Sequence, residues 1–200
     1  MKKPIFLIIL SLAFSFSVFA QPKTVTDYFL AMPDNVYSTT LEGKKVTGKS
    51  ALTKLRKSMI KIEDIKNGYL KIEGTWEGWA EIALFKKTDG SYIIAQAENG
   101  CGPACDGFVK FWIYNAGKWM DVTKAVFTEP TAKSVAKQFN ATKAKDDEAA
   151  DEAEGMSFYY SLPREGRVMR VVCNECSNSG DGEDFTIFKY EWNGSKFVKK

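Results

Sequence analysis

From Tyr92 to Val122 the chain reads YIIAQAENGCGPACDGFVKFWIYNAGKWMDV. Two apolar, strand-like runs flank a loop that holds Cys101 and Cys105, and Asn115-Ala116-Gly117 then punctuates a third run. Apolar runs of this length bounded by turn residues read as strands. A cysteine loop this short leaves the chain no course but to reverse, so the stretch predicts an antiparallel meander. A weaker copy of the pattern returns near the C-terminus, and the two copies suggest how the chain is organised.

The rest of the chain surrounds that pattern with further hairpins. Residues 24–34 predict a short amphipathic helix, capped by Thr24 or Thr26 and stopped by Pro33, with Val25, Tyr28, Phe29 and Met32 on its apolar face. A polar loop follows. Lys49 to Met59 predicts a second helix with Ser50 as cap and Leu52, Leu55 and Met59 at helical spacing. From Ile60 the period changes to two. Asn67-Gly68 marks a tight hairpin because both positions tolerate positive φ. Gly74 to Gly78 reads as a loop with two tryptophans at its end, Trp76 and Trp79, and strands at Ala80–Lys86 and Tyr92–Ala97 flank the turn Thr88-Asp89-Gly90. Pro130 opens a third helix as far as Asn140. Residues 141–155 hold no large apolar side chain and read as a solvated acidic linker. Strands resume at Met156–Leu162, Arg167–Cys173, Phe185–Trp192 and Lys196–Lys199, with a second Asn-Gly turn at Asn193-Gly194.

The N-terminus points to export. Lys2 and Lys3 precede an apolar run from Ile5 to Phe19, and Val18-Phe19-Ala20 ends it with a small residue. These are the parts of a cleaved secretory signal, residues 1–20, with Gln21 as the mature start. The alternative, a membrane anchor, needs about 20 apolar residues to span a bilayer, and the run is shorter. No later stretch is apolar enough to cross, so no stable membrane insertion is expected once the signal is removed. Losing Lys2 and Lys3 lowers the 28 Lys and Arg to 26 against 25 Asp and Glu, a net charge of +1. That balance argues against nucleic acid as a partner, which would call for a strong basic excess. The expected location is periplasmic or secreted. There an even cysteine count reads first as two disulfides among Cys101, Cys105, Cys173 and Cys176. Three pairings are open, and the spacing favours the two local ones.

Set side by side, Tyr114-Asn115-Ala116-Gly117-Lys118-Trp119 and Trp192-Asn193-Gly194-Ser195-Lys196-Phe197 match in kind at each position. Each follows an apolar strand, each strand a cysteine pair, and each pair a hairpin. The fold class expected is α+β: an antiparallel meander with helices on one face, built as two tandem degenerate units. The first unit spans 21–123, a helix and acidic linker 124–155, and the second unit 156–200. Two such units could join edge to edge into one curved sheet with a concave outer face. In element order the chain resembles the β-lactamase-inhibitor-protein-like exported domains, which repeat helices followed by a four-stranded meander. It is also similar to uncharacterised families of small exported bacterial proteins that begin with a helix like Tyr28–Asp34. Neither resemblance supplies functional residues.

Chemistry is constrained mainly by what is missing. There is no histidine, which removes the commonest general base and the Ser-His and Cys-His nucleophile pairs. No phosphate-cradling or dinucleotide motif is present, and no catalytic residue, metal site or cofactor is assigned. The cysteines read as disulfides; a four-thiolate zinc site and redox catalysis at Cys173-Asn174-Glu175-Cys176 are the alternatives. Asp146, Asp147, Glu148, Asp151, Glu152, Glu154, and separately Asp181, Glu183 and Asp184, could bind calcium but lack EF-hand spacing and read as solvated loops. Trp112, or its neighbours Phe111 and Ile113, belongs in the core. Trp76 and Trp79, in a glycine-flanked loop, are the candidate binding surface. The function expected is a non-catalytic binding or inhibitor-like module for a protein or cell-envelope polymer. A thiol-disulfide or carboxylate-based enzyme, or a metal-binding exported protein, would be the other classes.

Overall fold

The structure, a computed structural model, describes residues 24–41, 43–73, 77–102, 105–143, 157–173 and 185–200. The signal segment, Trp76, Cys176 and the two acidic clusters expected from sequence lie outside those residues. The described residues form an α+β arrangement of four helices and twelve strands, all strand pairs antiparallel.

Six strands make the main sheet in simple chain order: β3 (Ile60–Asp64), β4 (Tyr69–Glu73), β5 (Gly78–Lys86), β6 (Tyr92–Cys101), β7 (Cys105–Asn115) and β8 (Lys118–Asp121). Its two faces have different covers. Leu70, Ile72, Ala80, Ile82, Ile94 and Trp112 point to one side and pack with α1 (Val25–Ala31) and α2 (Lys49–Met59). Tyr69, Ala83, Phe85, Ala95, Ala97 and Phe111 point to the other. That second face meets a four-stranded sheet of order β12-β11-β10-β9, made of β9 (Tyr159–Ser161), β10 (Val168–Cys173), β11 (Phe185–Trp192) and β12 (Phe197–Lys199). Because β5 and β6 are covered on both sides, they read as nearly continuous buried runs rather than alternating ones. A small hairpin, β1 (Thr40–Leu41) with β2 (Lys44–Lys45), replaces the loop expected between the first two helices.

The two meanders therefore stack face to face instead of extending one another. The physical reason lies in the side chains. Small residues at Ala83, Ala95 and Ala97 leave room beside the sheet, and Phe127, Tyr160, Tyr190, Trp192 and Phe197 occupy it. Phe197 alone has ring centroids of Phe85, Phe111, Phe127 and Trp192 within 6.2 Å. Each buried aromatic of this kind contributes about 1.5–3 kcal/mol of transfer free energy. The matching segments Tyr114–Trp119 and Trp192–Phe197 form the last hairpin of their respective sheets, but one sheet has six strands and the other four.

Boundaries shifted where tertiary contacts intervene. Thr24, not Thr26, caps α1, in a reciprocal capping box with Asp27. Ser50 is not a cap: α2 begins after Gly48, which makes no side-chain capping bond. A four-residue helix, α3 (Thr123–Val126), follows β8, and α4 covers Ala132–Lys143, so residues 141–143 of the expected linker are helical. Trp79 is in strand β5, not in a loop.

Polar ties fix how the sheets sit. The buried Asn99 side chain accepts from Tyr160 N–H at 3.2 Å and donates to the Tyr160 carbonyl at 2.9 Å. The buried Glu81 carboxylate accepts from Leu162 N–H at 2.6 Å. Gly107 N–H donates to the Phe158 carbonyl at 3.1 Å. A Cβ at Gly107 would collide with the Asn99 side-chain oxygen and lie 2.8 Å from the Glu98 carbonyl, so the position has to be glycine. At the far end of the sandwich the Trp192 indole donates to the Lys86 carbonyl at 2.8 Å, and Thr88 N–H to the Gly194 carbonyl at 3.2 Å.

Asn99→Ala strands both backbone groups of the buried Tyr160, and unmade buried hydrogen bonds cost about 1–3 kcal/mol each. Urea unfolding is expected to show a loss of about 2–4 kcal/mol on that basis; an unchanged midpoint would show that the tie contributes nothing. Arg164 and then Asn67 hold the Asp64 carboxyl down to about 2 from its ordinary 3.8. A folded-state value below the unfolded one stabilises fully above the unfolded pKa and is lost as pH falls through the folded one. Asp64→Asn should thus melt lower than the parent at about pH 5 and converge with it near about pH 2; parallel melting curves across that range would refute the assignment.

Candidate functional site

Among the described residues only part of the β7 edge is closed. β8 pairs with β7 from Trp112 to Asn115. Just beyond, Val122 N–H donates to the Phe111 carbonyl at 2.8 Å, and Phe111 N–H donates to Thr123 Oγ1 at 2.9 Å. Asp121 Oδ1 accepts from Thr123 N–H at 2.8 Å and turns the chain into α3. The turn carries the backbone away from β7, and Phe127 plunges into the core, its ring 5.0 Å from that of Tyr190 and 5.7 Å from that of Phe111. The next contact along the edge is Phe158 on Gly107.

Between those closures lies a groove of about 810 Å³. The buried or half-buried Val109, Val122 and Phe127 line its base, with the exposed Phe108, Lys110, Lys124, Ala125, Thr128 and Glu129 around them. β6 and β7 pair without a bulge from Ile94↔Trp112 to Cys101↔Cys105. Side and backbone direction alternate along such a ladder, so Gly107, Val109 and Phe111 share one orientation, and the bonds of the outer two show that it is outward. The N–H and C=O of Val109 accordingly face the groove, with no partner among the described residues. Lys110 holds its ammonium 5.5 Å from the Phe108 ring and 5.9 Å from that of Trp112. Glu129 accepts from the Tyr160 hydroxyl at 3.0 Å; burial first, then that carboxylate, pushes the phenol well above its usual range. The rim thus presents Lys110 and Lys124 together with Asp121 and Glu129. A second groove of about 490 Å³, along β12, shares Thr128 and Glu129 with the first.

The residues singled out from sequence lie elsewhere. Trp79 is half-buried, its ring edge-on to Tyr159 at 5.2 Å and under the Lys71 ammonium at 5.4 Å. It is built into the sandwich end beside Cys105 and Val172. Cys101 and Cys105 are bonded to each other across the mouth of the β6–β7 hairpin, which eliminates both pairings that would tie the two cysteine loops together. Cys173 is also disulfide-bonded. Glu81 is the described carboxylate most like a catalytic acid, since burial pushes its pKa above the usual range against the pull of Leu162 N–H, Tyr69, Lys71 and Trp79. Its hydrogen bonds go to Leu162 N–H, just past β9, and to Tyr69 and Trp79 of its own sheet, and it lines neither groove. Among the described residues no three His, Cys, Asp or Glu side chains cluster as a metal site, and no helix is long and apolar enough to cross a membrane. Phe108 and Lys110 could be read from sequence as an outward pair; Thr123, Thr128 and Glu129 could not, because the α3 turn that brings them to β7 carries no sequence signal.

Neither a protein-family model nor a curated protein matches the chain. Among solved structures it is similar to a domain of an uncharacterized protein from Porphyromonas gingivalis W83, at 14% identity and a TM-score of 0.54, over 88% of this chain and 97% of that one. At that identity the likeness shows the fold alone.

Thr123→Val leaves Phe111 N–H without its acceptor and is expected to lower the unfolding free energy by about 1–2 kcal/mol. Urea titration measures it; a variant as stable as the parent would remove Thr123 as the anchor that shapes the groove.

Proposed function

We propose that the chain is an exported, non-catalytic binding module of inhibitor-like type that recognises a protein or cell-envelope component through the β7 groove. The carrying observation is the groove itself: an apolar base, a rim of both charges and, among the described residues, backbone groups left open at Val109. Concave sites with an apolar base and a few fixed polar groups are where ligands bind. The local Cys101–Cys105 bond and the engagement of Cys173 support export, because disulfides persist in oxidising compartments. They speak against thiol catalysis as well: Cys101 and Cys105 sit at strand ends, away from the helix N-terminus that lowers a reactive thiol's pKa.

The test compares the parent with Ala125→Trp, which fills the groove from an exposed position. Both proteins are immobilised and presented with an envelope extract of the producing cell. A component retained by the parent and lost by the variant is expected, along with a mature N-terminus at Gln21 in the exported fraction. Identical retention by both proteins, or hydrolytic turnover by the purified parent, would overturn the reading.

A further inference from the structure

Building on the groove reading, we propose that its occupant is an extended polypeptide segment that adds to the open edge of β7 as a short antiparallel strand centred on Val109. The argument starts from backbone accounting. A strand edge that keeps its N–H and C=O groups free is a template for another strand, and peptide recognition by strand addition draws its affinity from those main-chain bonds. Here the template is limited on both sides. Phe158 already occupies Gly107 N–H, and Val122 and Thr123 already occupy both groups of Phe111. Among the described residues what stays open is Val109, a donor and an acceptor on one residue at strand spacing. A guest that satisfies both must itself carry an N–H and a C=O in that arrangement, which is what an extended peptide does.

The surroundings specify the guest further. Residues directly opposite each other in an antiparallel pair send their side chains to the same face. The guest residue facing Val109 would thus rest against Phe127 and Val122 and should be apolar. Its two neighbours would emerge on the opposite face beside Phe108 and Lys110, the first 42% exposed and both outward. An apolar or aromatic residue suits Phe108 and an acidic one suits Lys110. The mixed rim of Lys110, Lys124, Asp121 and Glu129 disfavours a uniformly charged polymer, which would meet repulsion from one of the two pairs.

A phage-displayed library of random linear peptides, panned on the full chain with Ala125→Trp protein as counter-selection, tests this. Enriched peptides should carry an apolar centre flanked by an acidic residue. The best of them, synthesised and bound, should slow exchange of the Val109 amide at least about tenfold. Methylation of the peptide's central nitrogen, which removes the donor to the Val109 carbonyl, should weaken binding at least about tenfold. No enrichment over the counter-selection overturns strand addition, and so does a binder that is indifferent to methylation and leaves Val109 exchange unchanged. The two readings fail separately. Envelope capture that ignores Ala125→Trp removes the groove, whereas capture that depends on it, in the absence of peptide enrichment, removes only the strand mode.

Discussion

The sandwich is organised by one side-chain amide. Among the described residues β9 has a strand neighbour on one side only, β10, yet its other edge is pressed onto the main sheet, where water cannot serve its backbone. Buried peptide groups need partners. Asn99 supplies them by offering a carbonyl oxygen and an NH₂ in the relation a neighbouring peptide would have, and both bind the same residue, Tyr160. Glu81 serves Leu162 two residues on, and Gly107 serves Phe158 two residues back. The alternation 158, 160, 162 is that of a strand edge. The main sheet thus answers β9 with two side chains and one backbone N–H in place of a seventh strand. A slip of β9 by one residue would turn all three contacts off, so the apolar packing above, which is tolerant of small shifts, takes its register from polar groups that are not.

The helical face uses the same logic with a different residue. Arg56 is fully buried in α2 and donates to Thr39 Oγ1 and to the carbonyls of Phe29, Met32 and Tyr37. Its guanidinium carbon lies 5.6 Å from the ring centroids of both Phe29 and Tyr37. A loop that leaves a helix end with unpaired carbonyls would be costly to bury. One planar cation with several fixed donors collects them and ties α1, the following loop and α2 into a single cover for the sheet. Gln96 extends the cover to the strands, donating to the Val36 carbonyl and accepting from the Trp112 indole.

This explains which parts were legible from sequence. The helix Lys49–Met59 and the hairpins at Asn67-Gly68 and Asn193-Gly194 depend on local periodicity and turn chemistry, which are written in neighbouring residues. The choice between sheets joined side by side and sheets stacked is not local. Alternation reveals that Ala83, Ala95 and Ala97 face inward, but not that the space they leave is filled by aromatics from much later in the chain, between Phe127 and Phe197. Asn99, Glu81, Gln96 and Arg56 look like surface residues in sequence, because a buried polar group is identified only by the partner that satisfies it. Trp79 illustrates the converse. Flanking glycines suggested an exposed loop, but its indole serves Glu81 and its ring serves Tyr159.

The groove follows from how the sheets end. Edge strands expose pairing groups that a folded chain has to manage. In this chain β8 and β12 are short, of four and three residues. The β7 edge is covered from one side by a chain that turns away at Thr123 and from the other by a chain that arrives at Phe158. Both closures depend on long-range anchors, one on the Phe111–Thr123 bond and the other on the Asn99–Tyr160 pair that positions β9. Neither can be extended toward Val109 without moving its anchor: lengthening β8 would displace Phe127 from the aromatic core, and advancing β9 would break its register with Asn99. Among the described residues the gap at Val109 is therefore set by the same two requirements that hold the fold together. The proposed strand addition would gain from a template placed in this way, because a partner would meet groups already in position and lose less freedom in ordering them.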